Sequence, residues 1–419
     1  MLSVRTPISS VSETFITARS TALTPPNFEA VDARMQWYVD LGILSCVATT
    51  VLDGTDVIHE ALHGYMDVDT HGPLTDDAIF RIYSNTKIIT SIALMMLHEQ
   101  GRFDLDDPVE HHIPAFADMS VLNSAATSID DHRPATRQMT VRHLLSHSAG
   151  LSYGFLDPES LIDSTYTERG LTLAAVRSIT LEELCIRLGE LPLCNDPGTI
   201  WQYSFATDVC ARLIEVLSGQ RFDDFLDQHL FQPLGMVDSG FTVPEDKLGR
   251  LTSMYAPTNP LAPMEPGLTV IDHPNFTQYR AERSFLSGGA GLVSTMADYT
   301  GFVQMIVNGG TWNGSEIVNE ATLALMRTNQ LPAGVEVNLQ RWPMTDTVFG
   351  LGFALKKAPA RGEPQSATGE YHWGGMAGTH SWMAPEAGIA GLCFTQRMPG
   401  FWHPFSHDFK RLTYEAVTG

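Results

Sequence analysis

Lysine is scarce in this chain: five in 419 residues, within 26 Lys+Arg set against 48 Asp+Glu, for a formal charge of −22. That balance speaks against a phosphate-tracking surface, which needs basic patches, so neither nucleic acid nor an anionic membrane is an expected partner. A solubility device is the simple reading of the acid excess, and adaptation to high salt is the other. Cysteine is as sparse. Cys46, Cys185, Cys194, Cys210 and Cys393 are odd in number, scattered and without a C-x-x-C pair, which points away from a disulfide framework or a zinc site and toward a reducing, cytoplasmic interior. Apolar runs of membrane-spanning length are missing, and residues 1–26, "MLSVRTPISSVSETFITARSTALTPP", lack the apolar core of a secretory signal. That Ser/Thr-rich segment reads as a frayed tail rather than an organelle transit peptide.

What is present is an ordinary globular composition. With 43% hydrophobic residues the chain can fill one large core or two ordinary ones. "PNFEAVDARMQWYVDLG" has helical apolar spacing with Asn27 as its cap, and "SCVATTVLDGTDVIHEALHGYMDV" reads as a hairpin about an Asp53-Gly54 turn. From Ser84 to about Phe285 helical periods dominate, in "TVRHLLSHSAG", "TLEELCIRLGE", "FATDVCARLIEVLSGQ" and "FDDFLDQHLFQPLG". Strand patterns return in "FGLGFALKKA" and "EYHWGGMAGTHSWMAPEAGIAGLCFTQ", before a last helix in "HDFKRLTYEAV". The expected fold is α/β of the α+β kind: an antiparallel sheet flanked by helices, made from residues 27–83 and 285–419, with a mainly helical domain over 84–284 inserted and the active site in the cleft between.

Three short motifs compete for the chemistry. "HEALH", His59 to His63, matches the H-E-x-x-H zinc signature, which works on a helix; on the strand expected here the two histidines stand ~13 Å apart, too far for one ion. "GLSYG", Gly150 to Gly154, matches G-x-S-x-G, but a nucleophile elbow follows a strand, and a helix precedes Ser152. The third is Ser84-Asn85-Thr86-Lys87. If Ser84 opens the helix that "IITSIALMMLHEQG" continues, Lys87 lies one turn along on the same face, its amine within reach of the serine Oγ. The helix start and the apolar neighbours Ile88, Ile89 and Ile92 disfavour a protonated amine there. A lysine must fall from about 10.4 to about 7–8 to act as a base at neutral pH, roughly 4 kcal/mol of differential stabilisation.

Two further segments accompany the S-x-x-K motif. "GTIWQYSFATDV" sets Tyr203 just ahead of a helix, in the manner of the Y-x-N element of penicillin-recognising serine enzymes, and "YHWGGMAGTH" carries W-G-G where those enzymes carry K-T-G. "LLSHSAGLSY", "FQPLGM" and "SGGAGLVST" are also similar to blocks of that superfamily. From about Asn27 to its end the chain resembles the family VIII carboxylesterases and the related polyketide-acyl transferases, which share the class C β-lactamase fold. The resemblance implies Ser84 as nucleophile, Lys87 as its general base and Tyr203 as the acid/base partner of the leaving alcohol. It implies an oxyanion hole from the backbone N–H groups of Ser84 and Met376, and substrate contacts from Trp373, Gly374, Gly375, Phe205 and Tyr153. No metal or organic cofactor is implied. The implied reaction is hydrolysis of short-chain carboxylic esters through an acyl-enzyme on Ser84, with a small-molecule ester as the partner. Acyl transfer to an alcohol or amine, a β-lactamase or D-alanyl peptidase, and a catalytically silent binding protein are the alternatives.

Overall fold

The structure, a computed structural model, describes residues 25–418 apart from 158, 340 and 341; the tail expected over 1–26 lies, but for its last two residues, outside them. Helix α1, Glu29–Asp40, begins where the Asn27 side chain accepts the Glu29 N–H at 2.8 Å. It buries Val31, Met35, Tyr38 and Val39, a stripe at helical spacing. Strands β1, Cys46–Asp53, and β2, Asp56–Asp67, follow as the expected hairpin. The turn is shifted by one residue: Asp53 pairs with Asp56, and Gly54, at φ +57°, opens the two-residue loop.

β1 lies inside an eight-stranded antiparallel sheet. After the short β3, Gly72–Pro73, the remaining strands come from the far end of the chain: β4, Thr347–Phe349; β5, Ala354–Lys356; β6, Tyr371–Gly375; β7, Thr379–Ala384; and β8, Ile389–Phe394. Their order is β4-β5-β6-β7-β8-β1-β2-β3. Alternation along β1 divides the core in two. Val47 and Val51 pack with Met35 and Tyr38 of α1 and with Phe405 and Phe409 of the last helix, Pro404–Thr418, while Ala48 and Leu52 join the larger core on the other face.

Among the helices between the two sheet segments are α2, Thr86–Glu99; α3, Val141–Leu145; α4, Leu161–Glu168; α5, Leu181–Gly189; and α6, Ala206–Ser218. α2 is buried nearly all round, its polar Thr86, Lys87, Thr90 and Ser91 included. The expected single helix over "FDDFLDQHLFQPLG" is broken. Phe222–Leu226 is α-helical, Asp227–Phe231 widens into a π turn and Gln232–Leu234 closes it. Pro233 explains the break, because it has no N–H for the i→i−4 bond and its ring crowds the carbonyl of His229.

"HEALH" lies on β2, as its strand pattern implies, but its two histidine rings converge on one partner. His59 Nε2 and His63 Nε2 lean from the sheet to the same Asp32 oxygen on α1, at 3.1 and 3.6 Å. His59 also stacks on Phe28, and His63 Nδ1 lies 3.1 Å from Gln36 Oε1. The motif fastens α1 to the sheet; among the described residues no group of three or more His, Cys, Asp or Glu is arranged to hold a metal ion. Nor, among them, is any helix long and apolar enough to cross a membrane.

Candidate active site

Residues Ile79–Arg81 pair with Val293–Thr295 and lead into Ser84. Arg81, wholly buried, holds that strand in place through Asp272 at 3.0 Å and the Thr252 carbonyl at 2.6 Å. The next residues do not open α2 directly. Ser84 sits on a 3-10 turn, Tyr83–Asn85, and α2 begins at Thr86. Tyr83 has φ +44°, a left-handed conformation that costs a non-glycine residue about 1–3 kcal/mol. The turn is pinned from the sheet: Thr379 Oγ1 donates to the Ile82 carbonyl at 2.8 Å, and Ser381 Oγ donates to Asn85 Oδ1 at 3.1 Å.

Lys87, 2% exposed, reaches back to Ser84 Oγ at 3.4 Å. Its surroundings differ from the apolar ones expected. The amine donates to the Tyr153 hydroxyl and to the Gly289 carbonyl, each at 2.8 Å, and lies over the rings of Tyr153 and Tyr203. The isoleucines beside it in sequence point elsewhere, because neighbours one and two positions along a helix do not share a face. Behind the amine is Asp208 of α6, which accepts from Ser287 Oγ at 2.6 Å and from the Gly289 N–H at 3.1 Å. Burial pushes the Asp208 carboxyl above its ordinary range, while Lys87 and those hydrogen bonds pull the other way. Burial, with Asp208 close by, holds the Tyr153 phenol well above its usual value. A Cβ on Gly289 would stand 2.6 Å from the Tyr153 hydroxyl, 2.7 Å from Asp208 Oδ2 and 3.1 Å from Lys87 Nζ, so glycine alone leaves this junction closed up.

Tyr203 precedes α6 and donates its hydroxyl to Ser84 Oγ at 2.8 Å. Trp373 Nε1–H in turn donates to the Tyr203 oxygen at 3.2 Å. His147, whose ring lies 5.0 Å from that of Tyr203, is kept well below its ordinary value by burial and by Lys87. The serine hydroxyl thus has two side chains on one side and open space on the other. That space is a cavity of about 40 Å³ walled by Ser84, Tyr203, Trp373, Gly374 and Met376, and closed by Phe155, Leu156, Leu339, Phe401 and Trp402.

Several residues sit where the sequence does not indicate. Phe205 is completely buried, its ring 4.7 Å from that of Tyr153, and neither residue lines the cavity. The expected substrate contacts from both are therefore corrected: at the entry to α6 the Phe205 side chain turns into the core, and Tyr153 is spent on Lys87. The two glycines of W-G-G are explained by the protein's own packing rather than by a ligand. A Cβ on Gly375 would stand 2.3 Å from the Ile82 carbonyl oxygen, and one on Gly374 would stand 2.6 Å from His380 Nδ1. The close approach at Gly375 carries Met376 to the edge of the Ser84 turn. Asp208, His147, Phe155 and Leu156 escape the sequence reading, although three of the four fall in or beside segments singled out there, "LLSHSAGLSY" and "FATDVC".

The beta-lactamase family profile matches residues 31–412. The chain is 30% identical over 380 residues to Protein Rv1367c of Mycobacterium tuberculosis, covering 89% of this chain and 91% of that one. It is 30% identical over 365 residues to Esterase EstB of Burkholderia gladioli, covering 84% and 86% respectively. Among solved structures it is similar to EstCE1, described as a hydrolase with promiscuous acyltransferase activity, at a TM-score of 0.75 and 24% identity over 93% of this chain and 98% of that one. The chain belongs to the beta-lactamase family, and its relatives place it among the serine β-lactamase-like esterases and acyltransferases.

Proposed function

We propose that the protein is a serine carboxylesterase that cleaves short-chain esters through an acyl-enzyme on Ser84. The observation that supports this most is the approach of Tyr203 and Lys87 to one hydroxyl, at 2.8 and 3.4 Å, at the wall of an apolar cavity. In the first step Ser84 Oγ attacks the ester carbonyl carbon and its proton passes to the Lys87 amine, acting as general base. The carbonyl oxygen takes up the electron pair and is met by the backbone N–H groups of Ser84 and Met376. The C–O bond to the alcohol then breaks, and Tyr203 hands its proton to the departing oxygen while recovering one from Lys87. Water repeats the sequence on the acyl-enzyme and releases the acid. The apolar walls also favour a second reading, in which an acceptor alcohol or amine replaces water. Five free thiols, four of them buried, support a cytoplasmic setting.

The position of the third motif argues against β-lactams as the preferred substrates. Trp373 offers no cation to an antibiotic carboxylate, and a charge-assisted hydrogen bond is worth about 1.5–3 kcal/mol, or roughly one to two powers of ten in kcat/KM. The test is kcat/KM for 4-nitrophenyl acetate and a chromogenic cephalosporin on one preparation, with a fluorophosphonate label mapped to its peptide. Ester turnover should dominate and the label should fall on Ser84. Faster cephalosporin turnover, or a label elsewhere, would overturn the proposal.

A further inference from the structure

A second cavity adjoins the first and is far larger, about 490 Å³ against about 40 Å³. Trp373, Phe401 and Trp402 line both. The larger one opens between the ends of β4 and β5, the strand pair β6 and β7, and the last helix, and its other walls alternate apolar side chains, Met344, Pro359, Trp382 and Phe409, with polar and charged ones. Its two lysines are already matched, and the remaining charged walls, Asp346 and Arg361, are of opposite sign. Lys356 pairs with Glu363 at 2.6 Å, and Lys356 and Lys410 share the buried Glu370. Two imidazoles, His372 and His380, face it from the sheet. Burial and the nearby lysines keep His372 well below its ordinary value, and burial takes His380 down to about 3, so both are neutral. A neutral imidazole offers one donor and one acceptor, and Thr345 and Ser406 add hydroxyls that can do either. Aromatic faces, paired charges and interleaved donors and acceptors suit a ligand with many hydroxyl groups and no net charge.

The direction of the reaction says which half of a substrate belongs there. Tyr203, the group placed to protonate the departing alcohol, is held by Trp373, and Trp373 is one of the three walls shared by both cavities. We propose that the large cavity receives the alcohol half of the substrate, and that this alcohol is a sugar or a similar uncharged polyol whose short acyl group enters the small cavity beside Ser84. The inference rests on the Ser84 reading.

Two measurements test it. The first is kcat/KM for methyl 6-O-acetyl-glucopyranoside and for 4-nitrophenyl acetate, in the natural protein and in His372→Phe and Thr345→Val. The sugar ester should lose about 10-fold or more in each variant, chiefly through KM, with the nitrophenyl ester changed by less than about 2-fold. Equal losses on both substrates, or none on the sugar ester, would overturn the proposal. The second is a tryptophan-fluorescence titration of Ser84→Ala with methyl glucopyranoside, which needs no turnover. Saturable quenching that His372→Phe removes supports the cavity assignment even if neither ester is cleaved, a result that would count against Ser84 chemistry alone; a flat titration counts against the cavity.

Discussion

Ser152 is completely buried, its hydroxyl given to Asp163 and approached by Gln202 Nε2 at 3.5 Å, whereas Ser84 lies partly exposed at a cavity wall with Tyr203 and Lys87 on its inner side. Each serine sits in a motif that names a nucleophile. What separates them is whether the hydroxyl is already used up. The glycines around Ser152 serve the loop itself: a Cβ on Gly150 would stand 2.3 Å from the Asn195 carbonyl oxygen, and one on Gly154 would stand 2.9 Å from the Tyr166 Cβ. Strain distinguishes the two as well, since the left-handed non-glycine residue Tyr83 adjoins Ser84 directly. A G-x-S-x-G match reports small residues near a serine; it does not report an open face.

Replacing each serine by alanine breaks or upholds this contrast most directly. Ser84→Ala should lower kcat on 4-nitrophenyl acetate by about four orders of magnitude or more. Ser152→Ala should leave activity within about 10-fold and appear instead in denaturant unfolding, at about 1–3 kcal/mol, because Asp163 loses a buried donor. A folded but inactive Ser152 variant would reverse the assignment.

Effects as large or smaller sharpen the inner side of the Ser84 site. Lys87→Arg should be inactive, since a guanidinium does not give up its proton. Tyr203→Phe should lose about 10²–10⁴-fold, the usual range for a positioned proton donor, and the loss should shrink for esters with good leaving groups that need no protonation. A loss independent of the leaving group would remove Tyr203 from that role.

How much of this was legible in the sequence depended on distance along the chain. Ser84 and Lys87 are three residues apart, so one local motif carries both, and the order of S-x-x-K, Tyr203 and W-G-G carries the rest of the triad. The antiparallel sheet was legible because β1 with β2, and β6 with β7 and β8, are hairpin neighbours with alternating or apolar runs. Asp208 was not, because it reaches Ser287 and Gly289 across some eighty positions, with Lys87 close by, through tertiary packing alone. Phe205 was misread for a related reason. Spacing fixes its place at the mouth of α6 but not which way its side chain turns, and the core takes it.

The last prediction concerns the helix that leads into the Ser152 loop, where a structural role should show in stability and not in turnover. α3 is capped by Thr140, whose hydroxyl accepts from the His143 N–H at 3.4 Å while His143 Nδ1 accepts from the Thr140 N–H at 3.1 Å. Burial, with Arg137 and Arg142 nearby, lowers His143 to about 4. The unfolded chain therefore takes up a proton near pH 6.5 that the folded one refuses until about pH 4, so this residue costs stability as the pH falls through that window. Glutamine is the usual partner of threonine in such a cap, so His143→Gln should keep the acceptor and discard the titration. At pH 8 the variant should match the natural protein in denaturant unfolding. At pH 5.5 it should be the more stable by about 1.4 kcal/mol, one pH unit of linkage, with ester turnover at pH 8 unchanged. A gap that stays constant from pH 8 to pH 5.5 would mean that the proton is not what distinguishes the two side chains, and a loss of turnover would tie this segment to the chemistry after all.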